Sequence, residues 1–209
     1  MTSPFASKPV LTYFNLPNIG RGEVVRLFFA EAQIEYDDIR VPYGEWAAHK
    51  GDVAKLNPYG ALPVLQLGDK ILTQHVPILR YLSKKLGKYG GSNDDEAFAI
   101  DQITDVYIDW RASWVTTLGG DKTAHAEKIP RFYAAFEGFL AQSGKGPFLL
   151  GDQVSYAEPC VYQAVHNDGN LNNTELAAKF PQLYALVKAF GARPQVAKYL
   201  EERKKNEQN

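Results

Sequence analysis

Lys8-Pro9-Val10-Leu11-Thr12-Tyr13-Phe14-Asn15 is the stretch whose reading decides the fold. Residues 9–14 are rich in β-branched and aromatic side chains and read as a buried strand. The strand ends on a tyrosine, whose hydroxyl is expected to be exposed there. A turn follows, and then Arg21 to Ala32 reads as a helix, because Val24, Val25, Leu27, Phe28 and Ala32 recur on one helical face. Ile34 to Val41 alternates and reads as a second strand, and a short irregular or helical piece surrounds Trp46. Leu62 to Leu67 and Lys70 to Leu72 form a hairpin joined at Gly68-Asp69. Val76 to Leu86 returns to helical spacing through Ile78, Leu79 and Leu82. The order is strand-helix-strand, then strand-strand-helix, which suits a small mixed sheet carrying helices.

Gly87 to Asp95 is rich in Gly, Ser, Asn and Asp and reads as a linker. Beyond it strand signals fade. Helices are expected over 96–118, 124–142, 155–167 and 180–190, with a last one near 195–204. The expected organisation is an α/β domain over residues 1–87, a linker over 88–95 and an all-helical domain over 96–209. Ser155-Tyr156-Ala157-Glu158 is a capping box, with Ser155 as N-cap and Glu158 three residues on. Pro159, just inside that helix, removes one early backbone bond and predicts an irregular start.

The net charge of -1 gives no electrostatic footprint for nucleic acid or a membrane surface. No apolar run approaches the ~20 residues of a membrane span, and the N-terminus lacks a signal peptide's apolar core. The single cysteine, Cys160, has no internal disulfide partner, and a reducing cytoplasm is the default expectation. His-Glu-x-x-His, Cys-x-x-Cys, Gly-x-Ser-x-Gly and P-loop patterns are absent.

Asn57-Pro58-Tyr59-Gly60-Ala61-Leu62-Pro63-Val64-Leu65 and Leu72-Thr73-Gln74-His75 join the opening stretch in a wider pattern. Together they resemble the glutathione-binding domain of the cytosolic glutathione transferases, closest to the sigma class. The similarity runs from Lys8 to about Lys204. It implies a thioredoxin-like first domain, a helical-bundle second domain, and glutathione as co-substrate.

The resemblance also implies roles. Tyr13 would donate its hydroxyl to the glutathione thiolate, and Arg21 would orient the thiol or polarise the acceptor. No Ser or Cys lies between Phe14 and Arg26, which supports the tyrosine type. A cis bond at Leu62-Pro63 would present the Leu62 backbone, next to Ala61, to the cysteinyl part of glutathione. Gln74 and His75 would hold the γ-glutamyl end at a helix start, where amides and the dipole favour a carboxylate. Serine is usual where His75 stands; apart from the family, His75 reads as a solvent-facing residue. Trp46 and Lys50 would hold the glycine end, and Asp109 would reach the partner's glutathione across a homodimer. Phe14, Leu16, Arg21, Arg111 and Cys160 match positions lining the acceptor pocket, expected between the domains, while Cys160 by itself reads as a buried helix residue rather than a nucleophile. Tyr59 matches an aromatic key at the dimer interface, and is equally readable as part of a self-packed loop. The turn Leu16 to Arg21 is two residues longer than usual, and Glu158 replaces the common aspartate.

Asp101, Asp105 and Asp109 share a helical face, as a solvated stripe or as oxygen ligands for Ca²⁺ or Mg²⁺. Ile108 breaks the Asp-x-x-Asp-Asp arrangement of metal-binding relatives, so no metal is expected. The function expected is a detoxifying transferase that attacks a small hydrophobic electrophile. A glutathione-dependent isomerase and a non-catalytic, crystallin-like binding protein are the alternatives. One methionine and an intact Tyr13 weigh against the last.

Overall fold

The computed structural model describes residues 5–17, 19–142 and 146–207. Asn18, within the lengthened turn, lies outside them. By backbone contacts the chain divides into two compact units, 1–86 with 194–209, and 87–193.

The first unit is built on a four-stranded sheet of order β2-β1-β3-β4, with β1 Val10–Phe14, β2 Asp37–Val41, β3 Val64–Leu67 and β4 Lys70–Thr73. β1 runs parallel to β2 (Val10 beside Asp37) and antiparallel to β3 (Val10 beside Gln66). β3 and β4 form the hairpin expected at Gly68-Asp69. The sheet carries α1 Arg21–Ala32, α2 Trp46–Leu56 and α3 His75–Leu86. This is the mixed α/β arrangement that the element order implied.

β2 starts later than the alternation suggests. Gln33 adopts the left-handed conformation (φ 53) and closes α1, and the Ile34 N–H is used on Phe29 O at 2.9 Å. Ile34 therefore belongs to the helix ending, and the strand begins at Asp37. α2 is a helix of 11 residues where a short irregular or helical piece was expected; its length is not legible because Val53 alone is buried along it and no apolar stripe marks it. α1 is buried almost all round, including Glu23 and Arg26. Two charges inside a core demand partners, and the last helix, α10 Pro194–Glu207, supplies one of them. Arg203 donates to Glu23 at 2.7 Å, and the Tyr199 hydroxyl does so at 2.7 Å. That packing groups α10 with the first unit, although its sequence position follows the helical region.

The second unit contains α4 Asp94–Val115, α5 Thr123–Ala126, α6 Ile129–Gln142, α7 Ala157–Asn167, α8 Thr174–Lys179 and α9 Pro181–Gly191. The expected 124–142 helix is broken in two. Pro130 lacks the N–H that a continuous helix would need there, and it fits instead in the first turn of a new helix that starts at Ile129. α8 carries no buried residue and so no apolar pattern; Asn173 caps it, accepting from Leu176 N at 3.0 Å.

The capping box is present in altered form. Glu158 accepts from Ser155 N at 2.6 Å, as a capping box requires, and also from Ser155 Oγ at 2.6 Å and Leu149 N at 3.0 Å. Ser155 Oγ in turn accepts from Ala157 N at 3.1 Å. Burial pushes the Glu158 carboxyl above its ordinary range, against the hydrogen bonds from Ser155 and Leu149. α7 begins at Ala157 and runs through Pro159 without interruption.

No helix among the described residues is long and apolar enough to cross a membrane.

Candidate functional site

Tyr13 lies near the end of β1 and meets the start of α1. The N-cap of that helix is Gly20, which has no side chain to cap it. The phenol caps the helix instead, and Arg21 N donates to Tyr13 Oη at 3.0 Å. An oxygen that accepts a helix N-terminal amide is polarised, and its own O–H becomes a better donor.

Two glycines make this approach possible. A Cβ at Gly20 (φ 87) would fall 2.5 Å from Tyr13 Oη, and one at Gly22 would fall 2.3 Å from Tyr13 Cγ. Neither distance is compatible with a side chain. The ring lies against the helix backbone itself, and Tyr13 is only 4% exposed. The expectation of an openly displayed tyrosine is corrected on this point, since close packing on α1 covers the ring.

On another side stands the Arg26 guanidinium, its Cζ 5.8 Å from the Tyr13 ring centroid, within cation–π reach. Arg26 donates to Asp38 Oδ1 at 2.9 Å through Nη2, and Nη1 lies 3.4 Å from Glu23 Oε2. Burial alone would lower its pKa; the Asp38 hydrogen bond and the Glu23 and Asp38 charges outweigh that, and the net effect is upward. Arg26 is therefore a fixed cation.

Tyr13 belongs to a cluster with Val41, Val53, Leu62 and Val64, against which Phe14, Leu16, Trp46 and Ile71 pack. The Phe14 and Trp46 rings meet edge to face at 5.0 Å. Tyr13, Phe14, Leu16, Trp46 and Leu62 are thus brought together from separate segments. Lys50 lies one helical turn after Trp46 on α2 and is exposed. The Leu62-Pro63 bond is cis, as the resemblance implied.

The loop before it is tied by a residue that opens the quoted stretch but to which the sequence assigns no role. Asn57, buried, donates to Ala61 O at 2.5 Å and accepts from Tyr59 N at 3.1 Å. Tyr59 itself is 76% exposed.

Gln74 takes a left-handed backbone (φ 65), unusual outside glycine, immediately before α3. Its carbonyl accepts from Ile78 N at 2.9 Å and starts the helix. His75 is buried, which removes the reading of a solvent-facing histidine. The Arg21 side chain is half-buried, and its Nε has no acceptor among the described residues.

The second unit holds the remaining predicted residues. Asp109 and Asp105 are exposed on α4, and Asp101 accepts a hydrogen bond from the Tyr156 hydroxyl. Arg111 is buried, its guanidinium 5.0 Å over the Trp114 ring. Cys160 is fully buried, with Sγ 3.5 Å from Tyr156 O, and burial pushes its thiol pKa well up. It offers no surface to a ligand and no thiolate, as a buried helix residue would, and this corrects the place in a pocket wall that the resemblance implied.

A polar centre lies among these helices. Asp168 accepts from His125 Nε2 at 2.8 Å, Trp110 Nε1 at 3.0 Å and the Tyr133 hydroxyl at 3.1 Å. His125 Nδ1 meets Ser113 Oγ at 3.0 Å. Asp168 follows the end of α7 in a polar loop sequence, so no motif announces it.

Comparison with known proteins agrees with this fold. The glutathione S-transferase N-terminal domain model matches residues 9–84, and the C-terminal domain model matches residues 108–203. A glutathione S-transferase P 1 of Xenopus laevis is 32% identical over 204 residues, covering 94% of this chain and 93% of its own. The Pi-class glutathione S-transferase of Onchocerca volvulus superposes with a TM-score of 0.84 at 26% identity, covering 96% of each chain. Prostaglandin synthase D of Nilaparvata lugens superposes with a TM-score of 0.78 at 25% identity, covering 94% of this chain and 98% of that one. From its sheet, its helical unit and its matches along almost the whole length, this chain belongs to the glutathione S-transferase family, whose members use glutathione as co-substrate.

Proposed function

We propose that this enzyme activates the glutathione thiol through the Tyr13 hydroxyl and directs it at a small hydrophobic electrophile. The observation that carries the reading is the Arg21 N–H donated to Tyr13 Oη at 3.0 Å. With that oxygen already accepting, the phenol proton is the group left to offer to a sulfur. A free thiol has a pKa of about 8.5, so only a few per cent is ionised at neutral pH. Lowering it by about two units takes ~2.7 kcal/mol of preference for the thiolate. One hydrogen bond to a charged group supplies ~1.5–3 kcal/mol. A single well-held donor is therefore sufficient in magnitude.

The rest of the glutathione site is proposed around that donor. The Leu62 backbone beside Ala61 and Pro63 pairs with the cysteinyl part. Gln74 and the first amide of α3, at His75, take the γ-glutamyl carboxylate at a helix N-terminus. Trp46 and Lys50, one turn apart, take the glycine end, a cation meeting a carboxylate. The Arg21 Nε, buried and without an acceptor among the described residues, is a second donor for the sulfur or the acceptor. Phe14 and Leu16 give the acceptor site its apolar character.

A homodimer in which Tyr59 inserts into the second copy and Asp109 reaches its glutathione completes the proposal. The lone buried Cys160 suits a reducing, cytoplasmic setting.

A second reading, isomerisation with glutathione regenerated, is favoured by the likeness to a prostaglandin synthase. Mass analysis of products separates the two. Incubation with glutathione and an aromatic halide should yield a glutathione adduct with halide released. An endoperoxide substrate rearranged without loss of glutathione, and no adduct from any halide, would favour the isomerase.

A further inference from the structure

We infer that α10 is a positioning element for Tyr13: Arg203 and Tyr199 anchor Glu23, and Glu23 together with Asp38 fixes Arg26 against the tyrosine ring. The inference rests on the reading of Tyr13 as the thiol donor. Glu23 is fully buried on α1. Its Oε1 receives both Arg203 Nη1 at 2.7 Å and Tyr199 Oη at 2.7 Å, while its Oε2 lies 3.4 Å from Arg26 Nη1. The two short bonds from α10 pin the carboxylate through Oε1, so its other oxygen meets Arg26 only in a long, weak bond. That leaves the guanidinium committed to Asp38, through Nε at 3.1 Å and Nη2 at 2.9 Å, in the position where Cζ stands 5.8 Å from the Tyr13 ring.

Remove the anchors and a buried carboxylate with one remaining cation must draw that cation in, since an uncompensated buried charge is costly. Arg26 would swing toward Glu23, weaken its fork on Asp38 and change its contact with the ring. Tyr13 Oη depends on a 3.0 Å bond to a fixed amide, so a small ring displacement misdirects its proton. The charged and titratable groups around Arg26 are Glu23 on α1, Tyr36 and Asp38 with Arg40 along β2 and its approach, and Tyr199 and Arg203 on α10. Asp38 is shared with Arg40 at 2.8 Å, so the strand side is already saturated. The α10 side is the one that can be varied without touching the ring.

The test is the ultraviolet pH titration of glutathione bound to wild type, Arg203→Met, Arg203→Lys and Tyr199→Phe, each shown folded by circular dichroism. In Arg203→Met the thiol should ionise about half a pH unit or more higher than in wild type. Arg203→Lys should recover most of that shift, and Tyr199→Phe should move it the same way by less. Where Arg203→Met does not fold, Tyr199→Phe decides. Unchanged ionisation in the folded variants, with only thermal stability lowered, would make α10 a purely structural support and overturn the inference. No thiolate in wild type itself would overturn the Tyr13 reading and this inference with it, an outcome distinct from an unshifted variant.

Discussion

A single methyl group at Gly22 would fall 2.3 Å from Tyr13 Cγ, 2.4 Å from Cδ1 and 2.7 Å from Cβ. These contacts are with the ring and its root, which cannot swing aside while the strand stays in register. Gly22→Ala is therefore expected to push the phenol off the α1 amide. Overpacking of this kind costs ~1–3 kcal/mol of stability, visible as a lower denaturation midpoint. The more telling readout is kcat, which should fall with the lost donor while glutathione affinity changes less. A variant with unchanged kcat would mean that the ring needs no close seat on the helix. At this scale the sequence is informative in part. Tyr13, Trp46 and Leu62 stand out in it, and they lie in or against one cluster. Gly22, Arg26 and Asn57 do not, because a glycine that matters by close approach, or a buried cation whose partner lies twelve residues on in the next strand, leaves no local pattern. Cys160 is legible as a buried helix residue, but its match to a pocket wall does not hold, for the converse reason. α7 is buried almost all round, so a position on it does not tell whether the side chain meets a pocket or the core.

Elements are legible where burial is one-sided and harder to read where it is absent. α3 carries its apolar residues at helical spacing, and its sequence-based limits differ from the structure by one residue. α2 and α8 bury one residue and none, so periodicity has nothing to report. The hydrogen bonds that lock elements together are equally silent. Asp168, after α7, ties Trp110 on α4, His125 on α5 and Tyr133 on α6. Burial raises its carboxyl pKa, and the donors from His125, Trp110 and Tyr133 only partly offset this. A raised carboxyl means that the folded chain keeps a proton that the unfolded chain releases. Stability from this group is full below the ordinary carboxylate pKa of about 3.9 and is lost as pH rises through the raised folded value. Glu158, raised likewise, acts in the same direction. Urea denaturation of wild type and Asp168→Asn across that range should show a shallower fall with pH in the variant. Equal slopes would mean that Asp168 is ionised throughout.

For the whole molecule, the first unit is assembled from both chain ends, 1–86 and 194–209. Its activity should accordingly respond to changes at residues 199 and 203, remote in sequence from Tyr13. The proposed homodimer makes a separate demand. Tyr59 is 76% exposed on a loop pinned by Asn57, an aromatic anchor held out with little freedom to lose on docking. Sedimentation should show a dimer for wild type and a shift toward monomer for Tyr59→Ala; a wild-type monomer would remove Tyr59 and Asp109 from any shared site. The proposed chemistry turns on whether Tyr13 ionises the bound thiol. The direct measurement is the ultraviolet absorbance of glutathione thiolate as pH is varied, with wild type and Tyr13→Phe compared at saturating glutathione. Thiolate forming about two pH units below free glutathione in wild type, and near the free value in Tyr13→Phe, is the predicted result. Bound glutathione that titrates alike in both proteins would contradict activation by Tyr13.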